Sequence, residues 1–208
     1  KKNNSNFKIK LLTTNKNIKK IYQQAVYFNV KKVVILDYKN YKKFSHLFRK
    51  KKIKVYSKID EALKTFTKRV YFTISGISGI EGLEPTLKTI KYTENLGIAN
   101  KESIICGWKF IKKSLKKNNT NFVPLDSEHF SIWSLIKSEN IDNIKKIYLT
   151  ASGGPFLNKK LDDIKNIKPK FALRHPNWKM GKKISIDSAT LANKILEYFE
   201  AIILFSFK

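Results

Sequence analysis

One cysteine, Cys106, stands in 208 residues. An internal disulfide is thereby excluded, and the usage fits a reducing compartment. Within the apolar run IICGW the thiol is expected to be packed rather than nucleophilic. Long apolar runs are missing too. No stretch approaches the roughly 18 residues that span a bilayer, and the closing AIILFSFK is too short, so no membrane partner is expected. Arginine is reduced to Arg49, Arg69 and Arg174, although it is the side chain that forks onto phosphates and base edges. The GxGxxG loop of dinucleotide folds is absent. The only methionine is Met180, so the chain reads as a piece of a longer frame, and no leader segment is visible.

Acids are scarce as well. Sixteen Asp+Glu against 43 Lys+Arg give a formal charge of +27. Such a charge suits nucleic acid or small anions. The lysines, however, are scattered in pairs (IKK, RKKK, IKKSLKKNN) among many Asn and Ile, and they form no single arm. A nucleic-acid partner is therefore not expected, and a basic nucleic-acid-binding module stands as the lesser alternative.

What is present is an alternation of strand and helix signals. FKIKLLTT places Phe7, Ile9 and Leu11 on one face of a half-buried strand. NIKKIYQQAVYF has Ile18, Ile21, Ala25 and Phe28 at helical spacing. VKKVVILD reads as a buried strand and YKKFSHLFRKK as an amphipathic helix, and the alternation continues to NLGIAN. Repeated βα units predict an α/β, Rossmann-like parallel sheet with helices on both faces. KKSLKKNNT, at 112–120, reads as a linker, which divides the chain into a domain over 1–120 and part of an α/β catalytic domain over 121–208. There NFVPLDSEH and KKIYLTASGG look like strands. The last segment looks like a helix capped by Asp187 or Ser188, with Leu191, Ile195, Tyr198 and Ile202 as its apolar side.

Ligands on such sheets gather at the carboxyl ends of the strands, where TTNKN, SGISG and ANKES fall. These loops suit anions, and they suit turns equally well. In DSE, Asp126 and Glu128 sit two apart, and in an extended chain both carboxylates point the same way. Oxygen-only donors suit Mg²⁺ or Mn²⁺, whereas two solvated acids on a loop fit the same spacing. Asn193, Glu197 and Glu200 share one helical stripe beside Lys194, either a third carboxylate source or a solvated face. In TASGGPF, Ser152 and two glycines allow a close backbone approach or a tight turn. His129 and His175 are candidates for a proton role or a phosphate contact. HPNWKMGKKISIDSATLANK offers Ser, Asn, Lys and His to a phosphate, with Trp178 and Met180 to close over an apolar carbon skeleton.

Together, ANKES, PLDSEH, TASGGPF, HPNWKMGKKISIDSAT and NK..LE resemble the 1-deoxy-D-xylulose 5-phosphate reductoisomerase family, in chain order. The resemblance implies an NADPH- and metal-dependent enzyme of the methylerythritol phosphate route to isoprenoids. It makes Asp126, Glu128 and Glu197 the ligands of Mg²⁺ or Mn²⁺, and with His175 the catalytic set. Substrate, a small phosphorylated sugar, would meet Lys101, Ser127, Glu128, Ser152, His175, Ser188, Asn193, Lys194 and Glu197. NADPH would meet Asn15, Lys16, Asn17, Asn100, Glu102 and Gly181, and Trp178 would sit on a loop that closes over the site. The family is typically a homodimer of bacterial cytoplasm or plastids. Its glycine-rich loop and C-terminal helical domain fall outside this sequence. The 208 residues alone are therefore expected to bind NADPH poorly or not at all, and an inactive truncated remnant of that enzyme is the alternative. Two departures stand out: Asn15 where the family has Gly, and Ile195 where Gly usually follows NK.

Overall fold

Three consecutive β-branched residues, Val33, Val34 and Ile35, are buried completely. They belong to β2 (Lys32–Ile35), which lies between β1 (Leu12–Thr14) and β3 (Lys54–Tyr56) and pairs with both in parallel. A strand covered on both faces reads as a continuous apolar run, as this one does. The structure, a computed structural model, describes residues 7–173 and 181–206. Helix α1 (Ile18–Tyr27) buries Ile21 and Ala25, and α2 (Tyr38–Arg49) buries Phe48, whose ring meets Tyr22 edge-on at 5.2 Å. Asn17 and Asp37 cap these helices by accepting from the N–H groups of Lys20 and Asn40. A short α3 (Ile59–Leu63) follows β3. Only Leu12–Thr14 of FKIKLLTT forms strand, and Phe7 is exposed.

A second sheet has the order β4 (Val70–Ser75), β5 (Thr93–Ile98), β6 (Asn121–Pro124). Ala99 N donates to Ser75 O and Leu125 N to Ile98 O, both at 2.9 Å. The three carboxyl ends are therefore neighbours, as parallel strands require. Between β4 and β5 runs α4 (Leu83–Thr89), and between β5 and β6 runs α5 (Lys101–Asn118). Helix α5 overturns the linker expected at 112–120. Ile104, Ile111 and Leu115 are buried on one side, and lysine is a good helix former, so KKSLKKN simply continues the helix. The helix stops at Asn119, which takes a left-handed φ of 47°.

Arg69 ties this turn down. Its guanidinium donates to the carbonyls of Thr93, Asn118 and Asn119 and to Thr120 Oγ1. Carbonyls at a helix end have no partner within the helix, and Arg69 supplies one. Arg69→Met keeps the stem and loses every donor. It is expected to cost about 2 kcal/mol in urea unfolding, and a loss within about 0.5 kcal/mol would refute the role.

The chain divides into two compact units: Lys1–Thr73 with Glu84–Asn95 and Ser114–Asn121, and Ile74–Leu83 with Leu96–Lys113 and Phe122–Lys208. In the second, β6 leads into α6 (Ser127–Ile136), then short helices α7 (Leu161–Ile164) and α8 (Pro169–Ala172). Residues 144–153, all described, form no strand, contrary to the reading of KKIYLTASGG. The terminal segment is two helices, α9 (Lys182–Ala189) and α10 (Ala192–Phe205). Asp187 and Ser188 lie inside α9, and the N-cap positions of α9 and α10 are Gly181 and Leu191. The break falls at Leu191, whose φ is +60°. Helix α10 is also turned over relative to its apolar pattern. Leu191, Ile195 and Tyr198 are exposed, while Glu197, Glu200, Ala201 and Phe205 are buried. Cys106, expected to be packed, is exposed on α5.

Candidate active site

Two strand ends begin the site. Beyond β5 the chain enters Lys101, the first residue of α5, and beyond β6 it reaches Asp126, the N-cap of α6. Asp126 Oδ1 accepts from the N–H of His129 at 2.7 Å, which satisfies one orphan donor of the helix. Asp126 and Glu128 thus sit on a helix start and not on an extended chain, because a capping Asp rewards the helical turn. Ser127 Oγ donates to Glu128 Oε2 at 2.7 Å.

Helix α10 brings the remaining partners. Lys101 Nζ donates to Asn193 Oδ1 at 2.6 Å and stands 3.3 Å from Glu197 Oε1. Asn193 Nδ2 donates to the same Glu197 oxygen. Lys194 Nζ pairs with Glu197 Oε2, donates to Thr150 O, and lies 3.7 Å from Glu128 Oε1. Both Glu197 oxygens are therefore engaged, with the residue 3% exposed. The stripe of Asn193, Glu197 and Glu200 is not a solvated face.

His129 is the buckle between α6 and α10. It is fully buried, with Nδ1 2.6 Å from Asp126 Oδ1 and Nε2 2.9 Å from Glu197 O. A carbonyl only accepts, so Nε2 carries a proton. Burial pushes the imidazole's pKa down. The hydrogen bond with Asp126 and the charges of Glu200 and Asp126 outweigh that, so it is raised. Burial likewise pushes Asp126 up, but the bonds from His129 hold its carboxyl below the usual range. With both nitrogens occupied, His129 has none left for a phosphate or a substrate proton.

Glu200 is the acid of the stripe to which the resemblance gives no role. It is fully buried, and neither oxygen has a hydrogen-bond partner among the described residues. His129 Nδ1 lies 3.5 Å from Oε2. Burial and the adjacent charge of Asp126 push its pKa up to about 8. The available signal was spacing, since Glu197 and Glu200 are three apart on one helix and Asp126 and His129 three apart on another.

Asp126, His129 and Glu200 bring ligand-type atoms within 4.8 Å of one another. Because the His129 nitrogens are committed, the groups that suit a metal are the carboxylates. Four of them meet two lysines and one histidine here, and the oxygens of Glu200 have no hydrogen-bond partner among the described residues. Hard oxygen donors of this kind fit Mg²⁺ or Mn²⁺.

Gly154 holds the TASGG loop against α9. Its φ is +62°, and a Cβ there would lie 3.1 Å from Ser188 O and 3.2 Å from Ala189 Cα. The loop bearing Ser152, itself exposed, is thereby brought to the Ser188 end of α9. Gly181 is the N-cap of α9 and has open space around it. Asn100 is buried, and Glu102 is half-buried in the first turn of α5. Asn15, Lys16 and Asn17 are exposed beyond β1, in the first unit. His175, Trp178 and Met180 lie outside the described residues.

The profile of 1-deoxy-D-xylulose 5-phosphate reductoisomerase matches residues 1–107, and that of its C-terminal domain matches 122–205. The chain belongs to the 1-deoxy-D-xylulose 5-phosphate reductoisomerase family. The reductoisomerase of Pelagibacter ubique is 52% identical over 203 residues, covering 97% of this chain and 52% of that protein. The Wolbachia pipientis reductoisomerase is 40% identical, covering 96% and 51%. Among solved structures, the Zymomonas mobilis reductoisomerase in complex with NADPH superposes with a TM-score of 0.86 at 31% identity, covering 99% of this chain and 53% of that one. A reductoisomerase in complex with NADPH, fosmidomycin and magnesium gives 0.84 at 33%, covering 98% and 53%. The Rossmann-like α/β class expected from the alternation is that of this reductoisomerase fold. The chain spans about half the length of the relatives it matches.

Proposed function

We propose that the chain carries the metal and substrate residues of an NADPH-dependent reductoisomerase that converts 1-deoxy-D-xylulose 5-phosphate to 2-C-methyl-D-erythritol 4-phosphate. One observation carries this reading. Lys101, Glu128, Asn193, Lys194 and Glu197, drawn from three separate segments, meet at one place. Solved relatives in complex with NADPH and magnesium support it.

On this reading Asp126, Glu128 and Glu197 hold Mg²⁺ or Mn²⁺, which supplies Lewis acidity at the carbonyl and hydroxyl oxygens of the substrate. NADPH supplies the hydride. Lys101 and Asn193 orient Glu197 from one side and Lys194 from the other. Lys101 and Lys194 would be the ammonium groups that meet the substrate anion beside the metal. Ser127, Ser152 and Ser188 offer hydroxyl donors around it, and His175 completes the contacts. Asn15, Lys16, Asn17, Asn100, Glu102 and Gly181 border the cofactor, with Lys16 beside the 2′-phosphate. The working protein is a homodimer of bacterial cytoplasm or plastid, built from an NADPH-binding domain over 1–120 and a catalytic domain from 121.

The test is calorimetric titration of Mn²⁺ into the chain and into Glu197→Gln. A loss of about 100-fold in affinity is expected, since a metal ligand is removed. Equal affinities, or no binding by the unaltered chain, would sink the assignment. NADPH consumption on 1-deoxy-D-xylulose 5-phosphate then tests the reaction.

A further inference from the structure

We infer that His129 is a positioning residue for the metal site. Its one ring sets how Asp126 on α6 faces Glu197 on α10, and so which divalent cation the pair of carboxylates accepts. The inference rests on the reading that Asp126 and Glu197 are metal ligands.

Three bonds made by residue 129 carry it. The backbone N–H donates to Asp126 Oδ1 at 2.7 Å, and ring Nδ1 stands 2.6 Å from the same oxygen. Ring Nε2 donates to the Glu197 carbonyl at 2.9 Å. Asp126 Oδ1 is thus held twice, and Oδ2 takes part in neither bond. Two nitrogens on one planar ring cannot move apart. The side chain of one ligand and the backbone of the other are therefore kept at a set separation.

The ring has little room to swing. It is fully buried and stacks on Phe205 at 6.3 Å with 17° between the planes. Phe205 packs in one cluster with Ile132 of α6 and Ala201 of α10, so the ring sits in the seam between the two helices. Lys101, Asn193 and Lys194 hold the carboxylate of Glu197, and His129 ties that residue's backbone to Asp126. Fixing ligand carboxylates through hydrogen bonds tunes the cation they take. Mg²⁺ demands near-ideal octahedral oxygens at about 2.0–2.1 Å, whereas Ca²⁺ accepts about 2.3–2.6 Å and irregular arrangements. Loosening the tie should therefore weaken Mg²⁺ more than Ca²⁺.

Two variants each cut one end of the ring. His129→Asn keeps an amide near the place of Nδ1 and cannot reach Glu197. His129→Gln keeps one near the place of Nε2 and leaves Asp126 without its ring bond. Calorimetric titrations compare Mg²⁺ with Ca²⁺ in the unaltered chain and in both variants. In each variant Mg²⁺ affinity is expected to fall roughly tenfold and Ca²⁺ affinity by no more than about twofold. A Mg²⁺/Ca²⁺ affinity ratio within about twofold of the unaltered value, in either variant, makes the ring a stabilising tie only and overturns the positioning role.

Pulsed paramagnetic resonance of Mn²⁺ bound to the unaltered chain and to His129→Gln supplies a second reading that does not depend on the size of the affinity loss. No nitrogen of residue 129 is expected on the metal. A directly bonded nitrogen that disappears in His129→Gln makes the histidine a ligand and overturns the inference. If the unaltered chain binds none of the three cations, the metal assignment itself fails and the positioning role falls with it. Binding by the unaltered chain with unchanged selectivity in the variants removes the role and leaves the metal assignment standing.

Discussion

Replacing His129 with Ala is expected to lower the unfolding free energy of the chain by about 3–5 kcal/mol, among the larger effects available to one substitution. The side chain is fully buried and bonded at both ends, to Asp126 and to the backbone of Glu197. Its loss strands Asp126 and Glu200 as facing acids, removes the tie between α6 and α10, and leaves a cavity where the ring stacked at 6.3 Å on Phe205. A buried ion pair contributes little net stability when intact, yet breaking it by removing one partner exposes the whole desolvation cost of the other. Denaturation by urea, followed by circular dichroism in chelator, measures this. His46→Ala is the control, because His46 is exposed on α2 and its loss should cost about nothing. A loss below about 1 kcal/mol for His129→Ala would mean the buckle is not structural. Gln at 129 restores a donor without the charge, so it should recover only part of the loss.

The same network explains what the sequence could and could not disclose. The βα alternation was legible because Val33–Ile35, Ile21, Ala25 and Phe48 obey the simplest rule, apolar residues inward at the period of their element. Helix α10 breaks that rule. Ile195 and Tyr198 face outward while Glu197 and Glu200 are buried, because Lys101 and His129 arrive from distant segments to meet the acids. No local pattern contains those two partners, so periodicity chose the wrong face. The lysine pairs of α5 misled for the opposite reason. They were read as solvent loop from composition, although Ile104, Ile111 and Leu115 already recur at helical spacing. In DSEH the paired carboxylates were legible, and the helix cap that aims them was not, since capping and extension share the same residues until tertiary packing selects one. Glu197 came from the resemblance of NK..LE to a family, and position in a motif carried what chemistry alone left open.

Glu200 gives the second large effect, and its sign is unusual for a carboxylate. Its folded pKa of about 8 lies above the ordinary 4.5, so between roughly pH 5 and pH 8 the folded chain binds a proton that the unfolded chain has released. The stability associated with neutral Glu200 is complete below its unfolded pKa and is lost as pH rises through the folded one. The slope is up to about 1.4 kcal/mol per pH unit. His129, raised from 6.5, contributes stability that is lost in the same direction over the upper part of that window. Asp126, held low, loses its contribution only on acidification below the window. In chelator, the unfolding free energy is therefore expected to fall steadily from pH 5.5 to pH 8.5, and Glu200→Gln should flatten most of that fall. Since glutamine is neutral throughout, the variant should be the more stable protein at pH 8.5 and not at pH 5. A flat profile in the unaltered chain, or an unchanged slope in the variant, would remove Glu200 as the cause. Mg²⁺ or Mn²⁺ supplies a further distinction. Burial is the larger cause of the neutral Glu200, and a cation bound by Asp126, Glu128 and Glu197 would weaken the repulsion from Asp126 that adds to it, so saturating metal should reduce part of the slope in the unaltered chain and leave Glu200→Gln nearly unaffected.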